Sequence, residues 1–519
     1  MRVIDGAEHI ERDYPDYLRD ESNLHGSGAA KLFFPRNVRH ICWVVREAVK
    51  AKETVTISGG RTGICGGCVP ERGWMLSLER MNGVLGMQKN RCGFEIEVQG
   101  GLRLSELSAM LKTKRLLLES DAAHEFIGAG KHYFYPPDPT ETTATIGGTV
   151  ATNASGARTF HYGPTRCYVT GLSVILATGE LLIIKRGEVA ERNGFFTVRR
   201  VNGEPLRIPS PQYTIPSTKH SAGLYSRPGM DLIDLFIGSE GILGVIASAT
   251  VRLLPEPTSY FAGVGFFAQE ESALRFVEGA REIGQAPLAI EYFDSSSLLL
   301  LEEVRLEQGP TSEIPDIPDG GRGVYAVYFE SAVGERENLE RCVLTYRDLI
   351  ESAGGDPRVA WGAANKRDLE RLKSFRHTLP ETVNQIVAEM KKNDSRIHKV
   401  GTDMAVPDDR LSDMVGFYRD VLEREKIRHL IFGHVGNNHL HVNLIPRDYR
   451  ELVRAKELYG IFARKAVGWG GSVSAEHGIG KLKREYLQMQ YSADALETMR
   501  RIKRVLDPES VLNPGDVLD

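Results

Sequence analysis

Cysteine is scarce, with six in 519 residues at Cys42, Cys65, Cys68, Cys92, Cys167 and Cys342. So sparse a set builds no disulfide framework, and it lacks the clustered run of four thiols that would hold an iron–sulfur cluster. Reduced thiols are the expectation. Cys65 and Cys68 form a CxxC pair, but no second pair follows and the setting is a glycine-rich loop. Long apolar runs are also missing: no stretch approaches the ~20 apolar residues of a membrane helix, so no integral membrane segment is predicted. Nor does one sign of charge dominate. Lys and Arg number 65 against 69 Asp and Glu, for a formal net charge of -4, and no long basic run occurs. That excludes a broad electrostatic pull toward nucleic acid or anionic lipid. A GxGxxG directly after a strand is absent as well, which argues against a standard NAD-binding domain.

The acid-rich residues 1–26 have no apolar signal core, so a cytoplasmic location is expected, with any membrane contact peripheral and through a partner. A chain of 519 residues exceeds what one core organises, which predicts two or three domains. The first half alternates short apolar runs with glycine: 54–57, 94–98, 172–177, 180–185 and 243–254 read as strands. Residues 38–51 and 104–112 have helical apolar spacing. Pro255-Glu-Pro257 interrupts the pattern, and beyond it longer helices alternate with strands, as in 269–283 followed by 288–293. The Gly/Pro/Asp-rich stretch 308–322 reads as a surface loop.

Two loops in the first half have a chemistry of their own. Thr56-Ile-Ser-Gly-Gly-Arg-Thr-Gly-Ile-Cys-Gly-Gly-Cys68 is a strand entering a glycine loop, where missing Cβ atoms open backbone N–H groups to an anion such as pyrophosphate. A plain surface turn would share that composition. The second loop is Pro136-Pro-Asp-Pro-Thr-Glu-Thr-Thr-Ala-Thr-Ile-Gly-Gly-Thr-Val-Ala-Thr-Asn-Ala-Ser-Gly156, in which prolines fix the approach, small residues admit a flat ring, and Thr and Asn offer hydrogen bonds. Together they suggest a dinucleotide cradle.

The second half carries Phe432-Gly-His-Val-Gly-Asn-Asn-His-Leu-His-Val-Asn-Leu444, a Gly/Asn turn before an alternating strand that puts His439, His441 and Asn443 on one face. The turn lets His434 fold back toward His441. Further on, Gly470-Gly-Ser-Val-Ser-Ala-Glu-His-Gly-Ile-Gly480 sets Glu476 beside His477, and adjacent side chains point apart. One can therefore face a metal while the other faces a substrate. Buried histidines satisfied by the backbone would look the same one at a time.

With Gly238-Ser-Glu-Gly-Ile-Leu-Gly-Val-Ile246, the two loops resemble the FAD domain of the vanillyl-alcohol oxidase and p-cresol methylhydroxylase superfamily. The histidine segment and Ser474-Ala-Glu-His-Gly-Ile-Gly480 resemble, within it, the D-2-hydroxy-acid dehydrogenases, over roughly residues 35 to 519. That group includes D-lactate dehydrogenase, D-2-hydroxyglutarate dehydrogenase and the FAD subunit of glycolate oxidase. The resemblance implies an α+β fold, with a two-subdomain FAD-binding domain of the p-cresol methylhydroxylase type and an antiparallel-sheet cap. It divides the chain into an extension at 1–34, the FAD domain at 35–255, the cap at 256–468, and a C-terminal segment at 469–519 that returns to the FAD domain.

For the cofactor, the resemblance implies that Ser58, Gly59, Gly60, Arg61, Thr62, Gly63 and Gly66 meet the pyrophosphate. Pro137, Asp138, Thr142, Gly147, Gly148, Asn153 and Gly156 line the rest, and Gly241, Ile246 and Asn513 approach the ring systems. The loop offers no histidine for a covalent link, so non-covalent FAD is expected. For the chemistry it implies His434, His441 and Glu476 as ligands of a divalent metal, zinc first, with manganese and iron as alternatives. His477 is implied as the general base, with Asn443, Arg376 and Lys399 as substrate contacts. The activity implied is oxidation of a small D-2-hydroxy acid to the 2-oxo acid, by hydride transfer to flavin N5 with the metal polarising the hydroxyl. Electrons would pass to an electron-transfer flavoprotein, an iron–sulfur subunit or a quinone, and a homodimer is a reasonable assembly. A flavin electron-transfer or scaffold subunit, or an aryl-alcohol-type oxidase, are the alternatives. One departure stands out: relatives carry Asp-Gly-Asn where this chain has Asn437-Asn438-His439, which adds an imidazole to the ligand-bearing face.

Overall fold

The helix Val38–Ala51 shows how local sequence builds the first layer. Asn37 Oδ1 accepts from the His40 N–H at 3.1 Å and caps its start, and Lys52, in the left-handed region at φ 55°, ends it. Ile41, Val44, Val45 and Ala48 form its inner stripe and pack on Phe33, Val55, Trp74 and Leu76. The computed structural model describes residues 1–200, 203–284, 286–334 and 336–518.

Beneath this helix lies a four-stranded sheet in the order Arg2–Asp5, Ala29–Phe34, Gly73–Ser77, Val55–Ser58, antiparallel at its first pair and parallel at the others. Residues 1–34, read from sequence as an extension, supply two of these strands. The second sheet is antiparallel and five-stranded, in the order Val84–Asn90, Gly93–Gln99, Val245–Arg252, Val169–Ile175, Leu181–Lys185. These two sheets are the two subdomains that the resemblance implied.

The chain crosses to the cap through Pro257, just before the strand Ser259–Phe267. The cap sheet is antiparallel, with seven strands in the order Trp361–Ala363, Ser259–Phe267, Tyr325–Val333, Ala289–Phe293, His429–His434, His439–Leu444, Val400–Gly401. Its faces are covered by helices, among them Glu270–Glu282, Ser295–Gln308, Lys366–Asn393 and Leu411–Glu425. One continuous apolar core runs from the five-stranded sheet, through Ile246 and Val251, to cap residues such as Tyr292, Phe329 and Val442. A shared core of this kind joins the two halves through apolar contact.

The C-terminal residues 511–513 pair with the first sheet. Val55 N–H donates to Val511 O at 2.7 Å and Asn513 N–H to Val55 O at 2.9 Å, which adds residues 511–513 to the sheet edge. Asp507 prepares that turn by accepting from the N–H groups of Val511 and Leu512 at 2.9 and 2.8 Å.

Candidate active site

The cap hairpin His429–His434 and His439–Leu444 is closed by a short turn in which Asn438 takes φ 53°. In its register His434 faces His439 and Phe432 faces His441. Seven residues of separation would place His434 and His441 on opposite faces of one strand; folding the strand into a hairpin brings them together. The ring centroids of His434 lie 5.5 Å from those of both His439 and His441, and His439 and His441 are 4.4 Å apart.

Glu476 enters from the glycine-flanked loop, which Asp403 shapes. The Asp403 carboxylate accepts from the N–H groups of Glu476 and His477 at 3.2 and 3.1 Å, from Ser474 Oγ at 2.6 Å, and from Lys483 Nζ at 2.6 Å. One ligand atom from each of His434, His439, His441 and Glu476 falls within 4.8 Å of the others. His434 Nδ1 is 2.7 Å from Glu291 Oε1, so Nε2 is the nitrogen turned toward Glu476 Oε2, at 3.3 Å. His441 Nδ1 is 2.8 Å from Thr402 O, which again leaves Nε2 facing inward. Such outer partners orient metal-bound imidazoles, and the donor set suits a borderline divalent ion such as zinc.

The electrostatics follow from burial. Burial opposes the imidazolium of His434, but Glu291 and Glu476 outweigh it and raise that group to about 9. Burial pushes His439 down to about 4, and burial with the neighbouring imidazoles drives His441 well below its usual range. Glu476 is held well below the carboxylate range, since His434 and Lys219 outweigh the burial that opposes its charge.

His477 and Glu476 take different partners, although both lie beside His441. The His477 Nδ1 lies 3.2 Å from Asp403 Oδ2, its ring stacks on His441 at 5.6 Å, and its side chain is 29% exposed where Glu476's is 8%. A carboxylate on Nδ1 fixes the ring and leaves Nε2 for proton transfer.

Arg376 projects from the helix Lys366–Asn393, which carries Pro380 inside it. Burial opposes its charge, yet Glu291, Tyr328, Asp138 and Glu330 together raise it. It therefore belongs to the same electrostatic cluster as the Glu291–His434 pair. Lys399 instead directs Nζ to Asn384 Oδ1 at 2.9 Å on that helix. Asn443 is buried on the hairpin, where its Nδ2 donates to His441 O at 3.4 Å.

On the cofactor side, Gly59 and Gly60 lie against Thr143, Ala144 and Thr145, so the glycine loop and the second loop are in contact. A Cβ at Gly60 would stand 2.9 Å from Thr143 O. Gly147 packs on Gly100 and Gly156 on the Asp138 backbone, so their small size serves close backbone approach within the protein as well. Gly148 N–H is taken by Thr145 Oγ1 at 3.3 Å. Asp138 accepts from the Arg158 N–H at 3.2 Å, and burial raises it to about 6. Pro137 is buried, whereas Thr142 and Gly63 are exposed, with Thr62 half-buried beside them. Arg61, at φ 61°, lays its guanidinium 4.3 Å from the Tyr17 ring centroid, and Gly66, at φ 80°, packs on Leu24.

Asn153 ends the helix Ile146–Thr152 at φ 50° and accepts from the Arg166 N–H at 2.9 Å. Gly241, at φ 79°, sits against Asn513 and Ile57. Asn513 Nδ2 donates to Glu240 O and its Oδ1 accepts from the Ile57 N–H, at 2.9 and 2.8 Å. Ile246 is buried beneath Gly100. The hydroxyls of Thr56, Ser58 and Ser77 are buried with no hydrogen-bond partner among the described residues. They line the end of the parallel strands next to the glycine loop, and polar atoms left open there fit a bound dinucleotide.

The two halves meet at Glu476. Its Oε1 accepts from Ser155 Oγ at 3.2 Å and pairs with Lys219 Nζ, which also reaches Gly156 O at 3.4 Å. Ser155 of the second loop and His434 of the hairpin thus touch the same carboxylate, and Lys219 bridges it to Gly156. A profile described as "FAD binding domain" matches residues 29–130 and 127–185. A second, described as "FAD linked oxidases, C-terminal domain", matches residues 257–517.

The chain belongs to the FAD-linked oxidases. As such it is an FAD-dependent oxidoreductase. Among relatives, it is 28% identical to a D-lactate dehydrogenase of Anaerostipes hadrus, over 99% of this chain and 94% of that one. It is 25% identical to glycolate oxidase subunit GlcD of Bacillus subtilis (strain 168), over 96% and 91%. It is 28% identical to the mitochondrial D-2-hydroxyglutarate dehydrogenase of Bos taurus, over 100% and 81%. A solved alkyldihydroxyacetonephosphate synthase shares the fold, with a TM-score of 0.61 at 16% identity, over 95% of this chain and 76% of that one.

Four residues of this FAD-linked oxidase site escaped the sequence reading: Glu291, Asp403, Lys219 and Ser155. Glu291 and Asp403 left a trace, Glu291 as a lone acid inside the apolar stretch Ala289-Ile-Glu-Tyr-Phe293 and Asp403 as an acid directly before the apolar Met404-Ala-Val406. Lys219 left none.

Proposed function

We propose that this FAD-linked oxidase converts a small D-2-hydroxy acid of the lactate, glycolate or 2-hydroxyglutarate kind to the 2-oxo acid, with FAD bound non-covalently. The observation that carries this reading is the meeting of the second cofactor loop and the histidine hairpin on Glu476. A substrate oxygen near that carboxylate is then close to both. The names of the three relatives favour the substrate class.

FAD supplies a two-electron acceptor when bound, and a divalent ion on His434, His441 and Glu476 supplies a Lewis acid for the hydroxyl. His477 takes the hydroxyl proton at Nε2, and Asp403, 3.2 Å from Nδ1, stabilises the imidazolium that forms. Arg376 receives the substrate carboxylate through paired N–H groups, and Asn443 offers a further polar contact. Lys399, engaged with Asn384, supports the helix that carries Arg376. Burial of Glu291, Glu476 and Asp403 keeps these charges from being screened by water.

The test is anaerobic absorption spectroscopy of metal-replete protein mixed with D- and L-2-hydroxy acids. Rapid bleaching of the oxidised flavin band by a D-acid is the expected result. A flavin- and metal-containing protein that no hydroxy acid bleaches would defeat the proposal.

A further inference from the structure

The departure at position 439 has a structural counterpart. His439 is fully buried, and neither ring nitrogen has a hydrogen-bond partner among the described residues. Its Nε2 lies 3.1 Å from Asp403 Oδ1, close enough for a charge interaction yet off the line of a good hydrogen bond. Its Nδ1 is turned inward, 4.0 Å from Glu476 Oε2, the oxygen that the inner nitrogens of His434 and His441 face at 3.3 and 4.0 Å. With Nε2 backed by Asp403, the inward Nδ1 is a buried polar atom without a close protein partner, which is unfavourable unless something else engages it.

The arrangement repeats three times. His434 has Glu291 behind it, His441 has Thr402 O, and His439 has Asp403, each leaving one nitrogen for the centre of the cluster. We infer that His439 is a fourth protein ligand, through Nδ1, to the ion held by His434, His441 and Glu476. This rests on the proposed metal centre and extends it. Three imidazoles and one carboxylate complete a tetrahedral set, which favours zinc over manganese or iron. Because Asp403 lies against both His439 and His477, one carboxylate supports a ligand and the base together.

The experiment is zinc K-edge X-ray absorption on the flavin-containing chain loaded with zinc ion alone, paired with chelator competition on wild type and His439→Asn. Three imidazoles in the wild-type spectrum and two in the variant are expected. The variant's zinc affinity should fall by more than the roughly 10–100-fold that loss of a supporting partner costs. Two imidazoles in the wild type, or unchanged affinity in a flavin-replete variant, would overturn His439 as a ligand while leaving the three-ligand centre standing. Absence of zinc from the wild type, or zinc binding that survives Glu476→Gln undiminished, would overturn the metal centre itself. The wild-type spectrum decides the ligand count even if the variant does not fold.

Discussion

Glu291 Oε1 stands 2.7 Å from His434 Nδ1, on the side of the ring away from Glu476. The contact settles which nitrogen of His434 faces the cluster, and it ties the hairpin to the neighbouring strand Ala289–Phe293. Glu291→Gln keeps the shape and removes the charge. Affinity for zinc is expected to drop about 10–100-fold, read by chelator competition, with flavin content unchanged. Equal affinity would separate Glu291 from the metal centre.

His477→Ala is expected to keep FAD and metal and to slow flavin reduction by about 10²–10⁴-fold, followed by stopped-flow absorbance. Undiminished reduction would remove His477 from proton transfer. The paired change at Asp403 is a poorer probe, because that carboxylate also accepts from Ser474, Lys483 and two backbone N–H groups.

Arg376→Lys preserves charge near Glu291 and Glu330 but loses the paired donors. Its KM for the hydroxy acid is expected to rise by about 10–100-fold, the worth of a charge-assisted hydrogen bond. Steady-state kinetics checks this, and an unchanged KM would mean that the substrate carboxylate binds elsewhere.

Glu240 provides a pH test away from the histidines. Burial raises its carboxyl from 4.5 to about 7, although it accepts from the N–H groups of Ile479 and Gly480 at 2.8 Å each. Below pH 4.5 the group is protonated in both folded and unfolded chains. Between 4.5 and about 7 only the folded chain keeps the proton, so this stabilising contribution fades as pH rises and is lost above about 7. The change is roughly 3 kcal/mol in all. Because Gln stands in for the protonated acid, melting temperatures of wild type and Glu240→Gln are expected to lie closest at low pH and to diverge as pH rises, with wild type falling relative to the variant, and parallel curves would contradict it.

Much of this architecture was legible because it is local. Asn37 and Lys52 mark the ends of the helix Val38–Ala51, and the Gly/Asn turn before His439 announces the hairpin. The cofactor loops were legible because close backbone approach demands glycine, as at Gly60 against Thr143. What stayed hidden is non-local. Glu291 sits inside an apolar stretch and Asp403 directly before one, where hydrophobic patterning reads only packing, and Lys219 gains its meaning from a partner 257 positions away. The first strand was obscured because the acids of residues 1–26 masked a four-residue edge strand with one buried side chain.

Ile57 and Asn513 are joined across 456 positions of chain. Synthesis runs from the N-terminus, so the strand carrying the glycine loop is made early yet has its edge covered only after residue 513 emerges. Until then that edge is open to mispairing with other strands. Closing that edge therefore waits on the meeting of residues 55–57 with residues 511–513, and a chaperone that shields it would act before the two meet.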